Sequence, residues 1–185
     1  MNGIICIETE WQITTNRNRR TLNTEPLMQY IHETYKVPYI YRRVATLEEL
    51  KYYLSQFKKK EYDKFRILYL NFHGATHSIS LEGEKDNLSL DQLLEVGGSV
   101  FENRLIHFSS CRTFLGTDMV AKDFKEKSGA IMVSGYTKSV PVDLSALHDI
   151  ALIGELLNYT QKSAVLNRLK KNFENLERTL GFKAF

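Results

Sequence analysis

The chain has 185 residues, 43% hydrophobic and 25% charged, with 25 Lys and Arg against 22 Asp and Glu. That length suits one ordinary domain able to bury a core without covalent staples, and the composition excludes a disordered or low-complexity chain. A formal charge of +3 does not mark a nucleic-acid binder, and two cysteines, Cys6 and Cys111, are too few for a disulfide framework or a Cys-rich zinc site.

The first residues carry one short apolar run without a basic start or a small-residue cleavage site. No stretch approaches the ~18–20 apolar residues that cross a bilayer. The expectation is therefore a cytoplasmic protein with no membrane partner.

Residues 3–7 read as a short buried strand, with Cys6 inside it as a small hydrophobe. The polar, basic stretch 14–20 reads as an exposed loop. Thr24 is a candidate N-cap, with Glu25 and Pro26 in the first turn and Leu27, Tyr30 and Ile31 at helical spacing up to Val37-Pro38. β-branched and aromatic residues over 37–44 suggest a second strand. Thr46 and Glu49 form a capping box. Leu47, Leu50, Tyr53, Leu54 and Phe57 give that helix its apolar face, and Lys58, Lys59 and Lys60 close it where the dipole favours cations.

Residues 65–72 (FRILYLNF) are nearly continuously apolar, as in a strand covered on both faces. Segments 79–81 and 87–90, joined by 82–86, suggest a small hairpin. Ser89 or Asp91 then starts a short helix ending at Gly97-Gly98. Residues 104–109 (RLIHFS) form another buried strand, 117–127 a helix and 130–134 (AIMVS) a further strand. From 144 to about 180 the pattern is helical, in two pieces. Alternating strands and helices predict an α/β domain, residues 1–185, with a mostly parallel central sheet.

Ligands of such sheets sit outside the carboxyl ends of the strands. His73-Gly74 follows the strand at 65–72, Ser110-Cys111-Arg112 follows that at 104–109, and Gly135-Tyr136 follows that at 130–134. If the first two strands are neighbours, a histidine and a cysteine converge. Such a pair is a sufficient acyl-transfer machine: the imidazole moves the thiol proton and later protonates the leaving amine. The N–H groups of Gly74 and Cys111 are the natural oxyanion donors. His77, four residues after His73, is its competitor and otherwise lines the substrate side of the loop. The scheme needs no metal and no cofactor.

An apolar strand ending in His-Gly, followed by one ending in Ser-x-Cys, resembles the caspase-like (clan CD) cysteine peptidases: caspases, metacaspases, gingipains, separases and bacterial CHAT domains. The resemblance is closest to CHAT. Residues 105–116, LIHFSSCRTFLG, are similar to that group's strand-Ser-Ala-Cys-x-Thr-Gly pattern, and the hairpin and helix at 80–97 and the Gly129-Ala130 start of the next strand follow its order. The match covers roughly residues 65–158. It implies a caspase-like sandwich with helices on both faces of the sheet and a small hairpin insertion. It also implies a cysteine endopeptidase acting on a protein substrate, in the manner of bacterial antiviral-defence or cell-death effectors. Ser110 replaces the usual Ala, Phe114 stands where CHAT often has Gly, and the His–Cys separation is shorter than the roughly 50 residues of the caspase signature. No long linker follows Cys111, so activation by cleavage into two subunits is not expected.

The resemblance further implies an acidic group, on the loop after the post-cysteine strand, that receives a basic substrate side chain. Val142-Asp143 is similar to that stretch, and a buried carboxylate there would pair with Arg or Lys. Asp143 could equally cap the helix that begins at Leu144. Asp118 and Asp149 are weaker candidates, and Arg112 could instead accept an acidic residue. Gly135, Tyr136, His77 and Arg112 complete the candidate substrate-binding set.

Two further features bear on partners. The lysines at 58–60 and the arginines at 17, 19, 20, 42 and 43 read as solvated charge rather than a nucleic-acid surface. In the C-terminal amphipathic helix, about 163–181, Leu166, Leu169, Phe173, Leu176 and Leu180 form an a/d seam. That seam suits docking on the domain's own sheet, or a homo-oligomeric or activating partner. The rival to an enzyme is a catalytically latent binding or scaffold module of the same fold. A nucleotide-binding domain has no glycine-rich phosphate motif to support it.

Overall fold

The computed structural model describes residues 3–11 and 21–185; the basic stretch at 14–20 therefore lies outside the described residues. The chain runs β1 (Ile4–Thr9), α1 (Glu25–Tyr35), β2 (Tyr39–Val44), α2 (Leu47–Phe57) and β3 (Ile67–Asn71), then three short strands β4 (His73–Ala75), β5 (Ser78–Ser80) and β6 (Leu88–Ser89). It continues through α3 (Leu90–Gly97), β7 (Leu105–Phe108), α4 (Asp118–Ser128), β8 (Met132–Tyr136), α5 (Val142–Asn158), α6 (Lys162–Leu180) and β9 (Phe182–Ala184).

Six strands form one sheet in the order β2-β1-β3-β7-β8-β9. All neighbours are parallel except β8 and β9. The alternation of side chains divides the core in two. Ile5 and Ile7 of β1, Leu68 and Leu70 of β3, and Ile106 and Phe108 of β7 pack against Leu50, Leu54, Leu93, Ala121 and Phe124 of α2, α3 and α4. On the opposite face Ile4, Cys6, Ile67, Tyr69 and Met132 meet Met28, Ile31, Leu152, Ile153, Val165 and Leu169 of α1, α5 and α6. The α/β class and mostly parallel sheet are thus as predicted, with helices against both faces.

Local signals explain several boundaries. Thr46 and Glu49 make the reciprocal capping box at the start of α2, and Ser89 and Gln92 make another at α3. Thr117 caps α4, and Gly129 ends it in the left-handed conformation. Thr24 does not act as the predicted side-chain cap. Its N–H and hydroxyl instead donate to the carboxylate of Glu8, which is fully buried at the end of β1. A buried anion outcompetes a helix end for those donors.

The predicted hairpin is part of a separate three-stranded sheet, β4-β5-β6, whose first strand contains His73. α5 begins at Val142 rather than 144, because Pro141 supplies an N-terminal boundary. The seam of α6 is turned inward: Leu169 and Leu180 are buried, as is Val165. α6 bends at Phe173, whose φ of −133° is non-helical. β9, not foreseen from the sequence, pairs antiparallel with β8.

Candidate active site

β3 and β7 are parallel neighbours, Leu70 aligned with Phe108, so the segments that leave them emerge at one sheet edge. They are stitched together there. Ser109 N–H donates to Leu70 O at 2.9 Å, and Phe72 N–H donates to Ser110 Oγ at 3.2 Å. The cysteine loop is then held against the end of β8, with Arg112 N–H on Lys138 O and Phe114 N–H on Tyr136 O, both at 3.0 Å. Arg112 turns the chain with a φ of +55°. Thr113 O accepts His77 N–H at 3.1 Å, which ties the loop to the small sheet.

Gly74 shows how closely the two segments approach. A Cβ at that position would fall 2.9 Å from the Cys111 carbonyl carbon and 2.7 Å from Thr113 Oγ1, both inside van der Waals contact. Glycine is required because the backbones of the His-Gly and Ser-Cys motifs touch. His73, Gly74, Cys111 and Arg112 accordingly line one cavity of about 590 Å³, walled also by Trp11, Thr24, Asn71, Ser109, Val140 and Ala146.

Cys111 is partly exposed, and its Sγ accepts the Val140 N–H at 3.3 Å. His73 is held on two sides. Its Nε2 lies 2.6 Å from Glu82 Oε2, and the edge of its ring system meets Trp11 with centroids 4.5 Å apart at 89°. Trp11 is in turn fixed by a hydrogen bond from its indole N–H to Glu8. The other cysteine, Cys6, is fully buried, and its thiol is pushed up by burial and by the charges of Glu8 and Glu25. Of the two cysteines, only Cys111 lines this cavity.

Behind the cavity floor lies a second buried carboxylate. Asp149 accepts from Tyr69 Oη at 2.6 Å and Ser109 Oγ at 2.7 Å, both cavity-lining residues, and from Tyr136 Oη. His107 Nε2 is 2.8 Å from its other oxygen region, at Oδ1. Burial pushes the Asp149 carboxyl up, but His107 and the two tyrosine hydroxyls outweigh it and hold the group at about 2. Burial, and after it the charge of the same carboxylate, pushes the Tyr69 and Tyr136 phenols up.

The sequence-derived substrate set is brought together only in part. Arg112 lines the cavity and is exposed. Tyr136 and Gly135 do not line it: β8 extends through both, Tyr136 is fully buried with its hydroxyl on Asp149, and Gly135 packs on Phe108 and Phe114. His77 sits beside Gly116 with a φ of +56°, outside the cavity lining. Asp143 is exposed in the first turn of α5, where its carboxylate meets the helix dipole in water rather than a buried pocket. Val142, Ser145 and Ala146 of that helix line the cavity in its place.

Residues 2–185 match a family model described as a family of unknown function, DUF6642. The chain belongs to DUF6642. No curated protein matches it. This DUF6642 chain has, among its described residues, no group of three His, Cys, Asp or Glu side chains placed to hold a metal ion, and no helix long and apolar enough to cross a membrane. Glu8, Glu82 and Trp11 were not singled out by the sequence. Glu82 stood in an acidic connection with nothing to separate it from Glu84 or Asp86, and Glu8 and Trp11 followed the first predicted strand without a motif.

Proposed function

We propose that this protein is a cysteine endopeptidase of caspase-like type, closest to CHAT peptidases, with Cys111 as nucleophile and His73 as proton carrier. The observation that carries the reading is the shared cavity: a partly exposed thiol and an imidazole backed by a carboxylate, brought to one sheet edge by adjacent parallel strands. The mostly parallel sheet, the helices on both faces and the small hairpin sheet between the motifs agree with the resemblance in the sequence.

In this scheme the Cys111 thiol gives its proton to His73 and the sulfur attacks a peptide carbonyl. The developing oxyanion is met by the N–H groups of Gly74 and Cys111. The C–N bond breaks as the imidazolium protonates the departing amine, and water then hydrolyses the thioester. A peptide chain suits a cavity with apolar walls and a hydroxyl-bearing floor. The implied setting is a bacterial defence or cell-death pathway with a protein substrate.

A peptide-library digest comparing wild type with Cys111→Ala tests the reading. Cleavage lost in the variant supports it, and the residue before each cut reports the pocket. Cuts after Arg or Lys would direct attention to an acidic group, and cuts after Asp to Arg112. The second reading, a latent binding module, is favoured by the Val140 backbone, whose N–H and carbonyl lie 3.3 and 3.9 Å from Sγ and cover one side of the sulfur. A substrate-like acyloxymethyl ketone that never labels Cys111 would support that module and overturn the enzyme.

A further inference from the structure

His73 faces a carboxylate that no motif anticipated. Glu82 Oε2 lies 2.6 Å from Nε2, and the two side chains are only 12% and 25% exposed. The carboxylate is also rigidly mounted. Glu82 N–H donates to Thr9 Oγ1 at 2.8 Å, at the buried end of β1, and the next residue's N–H, from Gly83, donates to Ala45 O at 2.9 Å, just after β2. Gly83 is pressed so close that a Cβ there would stand 2.7 Å from Ala45 O. The connection carrying Glu82 is thus wedged between the ends of two sheet strands. Trp11 closes the imidazole's other side.

We propose that Glu82 is a positioning residue for His73, making the site a Cys111–His73–Glu82 triad rather than a dyad. The inference rests on the peptidase reading above. A carboxylate on Nε2 keeps the proton on that nitrogen, turns Nδ1 to the task of taking the thiol proton, and stabilises the imidazolium once it forms. The balance is simple. The proton leaves Sγ for Nδ1 and passes from Nδ1 to the leaving amine. Water replaces it in the second half, and no proton need pass to Glu82. Among the described residues, the titratable groups that face the imidazole or share its cavity include Glu82 from the β5–β6 connection, Tyr69 of β3, and Cys111 and Arg112 from the loop after β7.

The experiment reads the pH dependence of Cys111 alkylation by iodoacetamide, located by mass spectrometry, in wild type, Glu82→Gln, Glu82→Asp and His73→Ala. In wild type His73 takes the thiol proton, so Cys111 should be alkylated near pH 6 markedly faster than in His73→Ala. Glu82→Gln keeps the shape and removes the charge. Its alkylation near pH 6 should be roughly tenfold slower than wild type, the difference closing as pH rises. Glu82→Asp should recover part of that loss. A native thermal melt for the Gln variant together with an unchanged pH profile would overturn the triad while leaving the peptidase reading intact. A wild-type Cys111 no more reactive than a free thiol, and indifferent to His73→Ala, would overturn both. Should the Gln variant fail to fold, long-range ¹⁵N–¹H spectra of wild-type His73 decide the matter: the Nε2–H tautomer supports the proposal, and the Nδ1–H tautomer refutes it.

Discussion

Replacing Gly74 with alanine probes the closest approach in the molecule between the histidine and cysteine segments. The added methyl would stand 2.7 Å from Thr113 Oγ1 and 2.9 Å from the Cys111 carbonyl carbon, with the carbonyl oxygen nearer still. Ordinary contact needs about 3.4 Å or more, so Thr113 must turn away and the two backbones must part by roughly 1 Å or more. Overpacking of this kind costs typically 1–3 kcal/mol. At about 2 kcal/mol the melting temperature of a domain this size falls by about 4–8 °C. On the peptidase reading the chemical consequence would exceed the thermal one, because a 1 Å displacement between reacting groups costs on the order of a hundredfold in rate. Differential scanning calorimetry and iodoacetamide labelling of Cys111 at pH 6 measure the two effects on the same samples. A Gly74→Ala protein with wild-type melting and wild-type labelling would refute the argument that these backbones touch.

Three other outcomes follow from the structure. Asp149→Asn removes the charge at the centre of a fully buried network and should cost about 3–5 kcal/mol by urea denaturation at pH 7. In wild type the Asp149 carboxyl is held at about 2, below its ordinary 3.8, so its stabilisation of about 2 kcal/mol is complete above pH 4 and lost as pH falls towards 2. The Asn variant should lack that part of the acid slope, and an unchanged slope would remove Asp149 from the account. Thr46→Ala deletes one half of the capping box of α2 and should lower the melting temperature by about 2–4 °C, equivalent to ~1 kcal/mol. Asp143→Ala, at an exposed first-turn position, should cost less than about 1 kcal/mol and leave Cys111 alkylation unchanged; a marked loss of labelling or cleavage would return that carboxylate to the site.

The sheet was legible because its strands are covered on both faces and therefore spell themselves as apolar runs: ILYL in β3 and LIHF in β7 need no neighbour to be recognised. The capping box at Thr46 was legible for the opposite reason, being wholly local. His73 and Cys111 were legible as strand-end residues. What escaped notice depends on partners distant in sequence. Thr24 carries a capping residue's chemistry but spends its donors on Glu8, sixteen positions earlier. Tyr136 looked like a loop residue until β9, arriving from the chain's other end of the sheet order, extended the pairing of β8 through it. Asp143 and Asp149 both lie on α5, one in its first turn and one at its middle, and helix phase turns Asp149 inward. Glu82 was one of several acids in a turn, distinguished only by the ring it meets.

The loop that carries Cys111 has a consequence for the order in which the molecule becomes competent. Its principal anchors are Leu70, Phe72, His77, Tyr136 and Lys138, all far from it along the chain. Contacts of that kind reward the chain only after the entropy of closing long loops has been met, so they arrive late in folding. On the peptidase reading, a chain with β3 and β7 paired but this loop unanchored would lack the fixed Cys111–His73 pair. The same dependence works in reverse. On the peptidase reading, local opening of the β4–β6 sheet would part His73 from Cys111 while the six-stranded sheet stayed intact, so Cys111 reactivity would report on tertiary completeness more sharply than helix or strand content does.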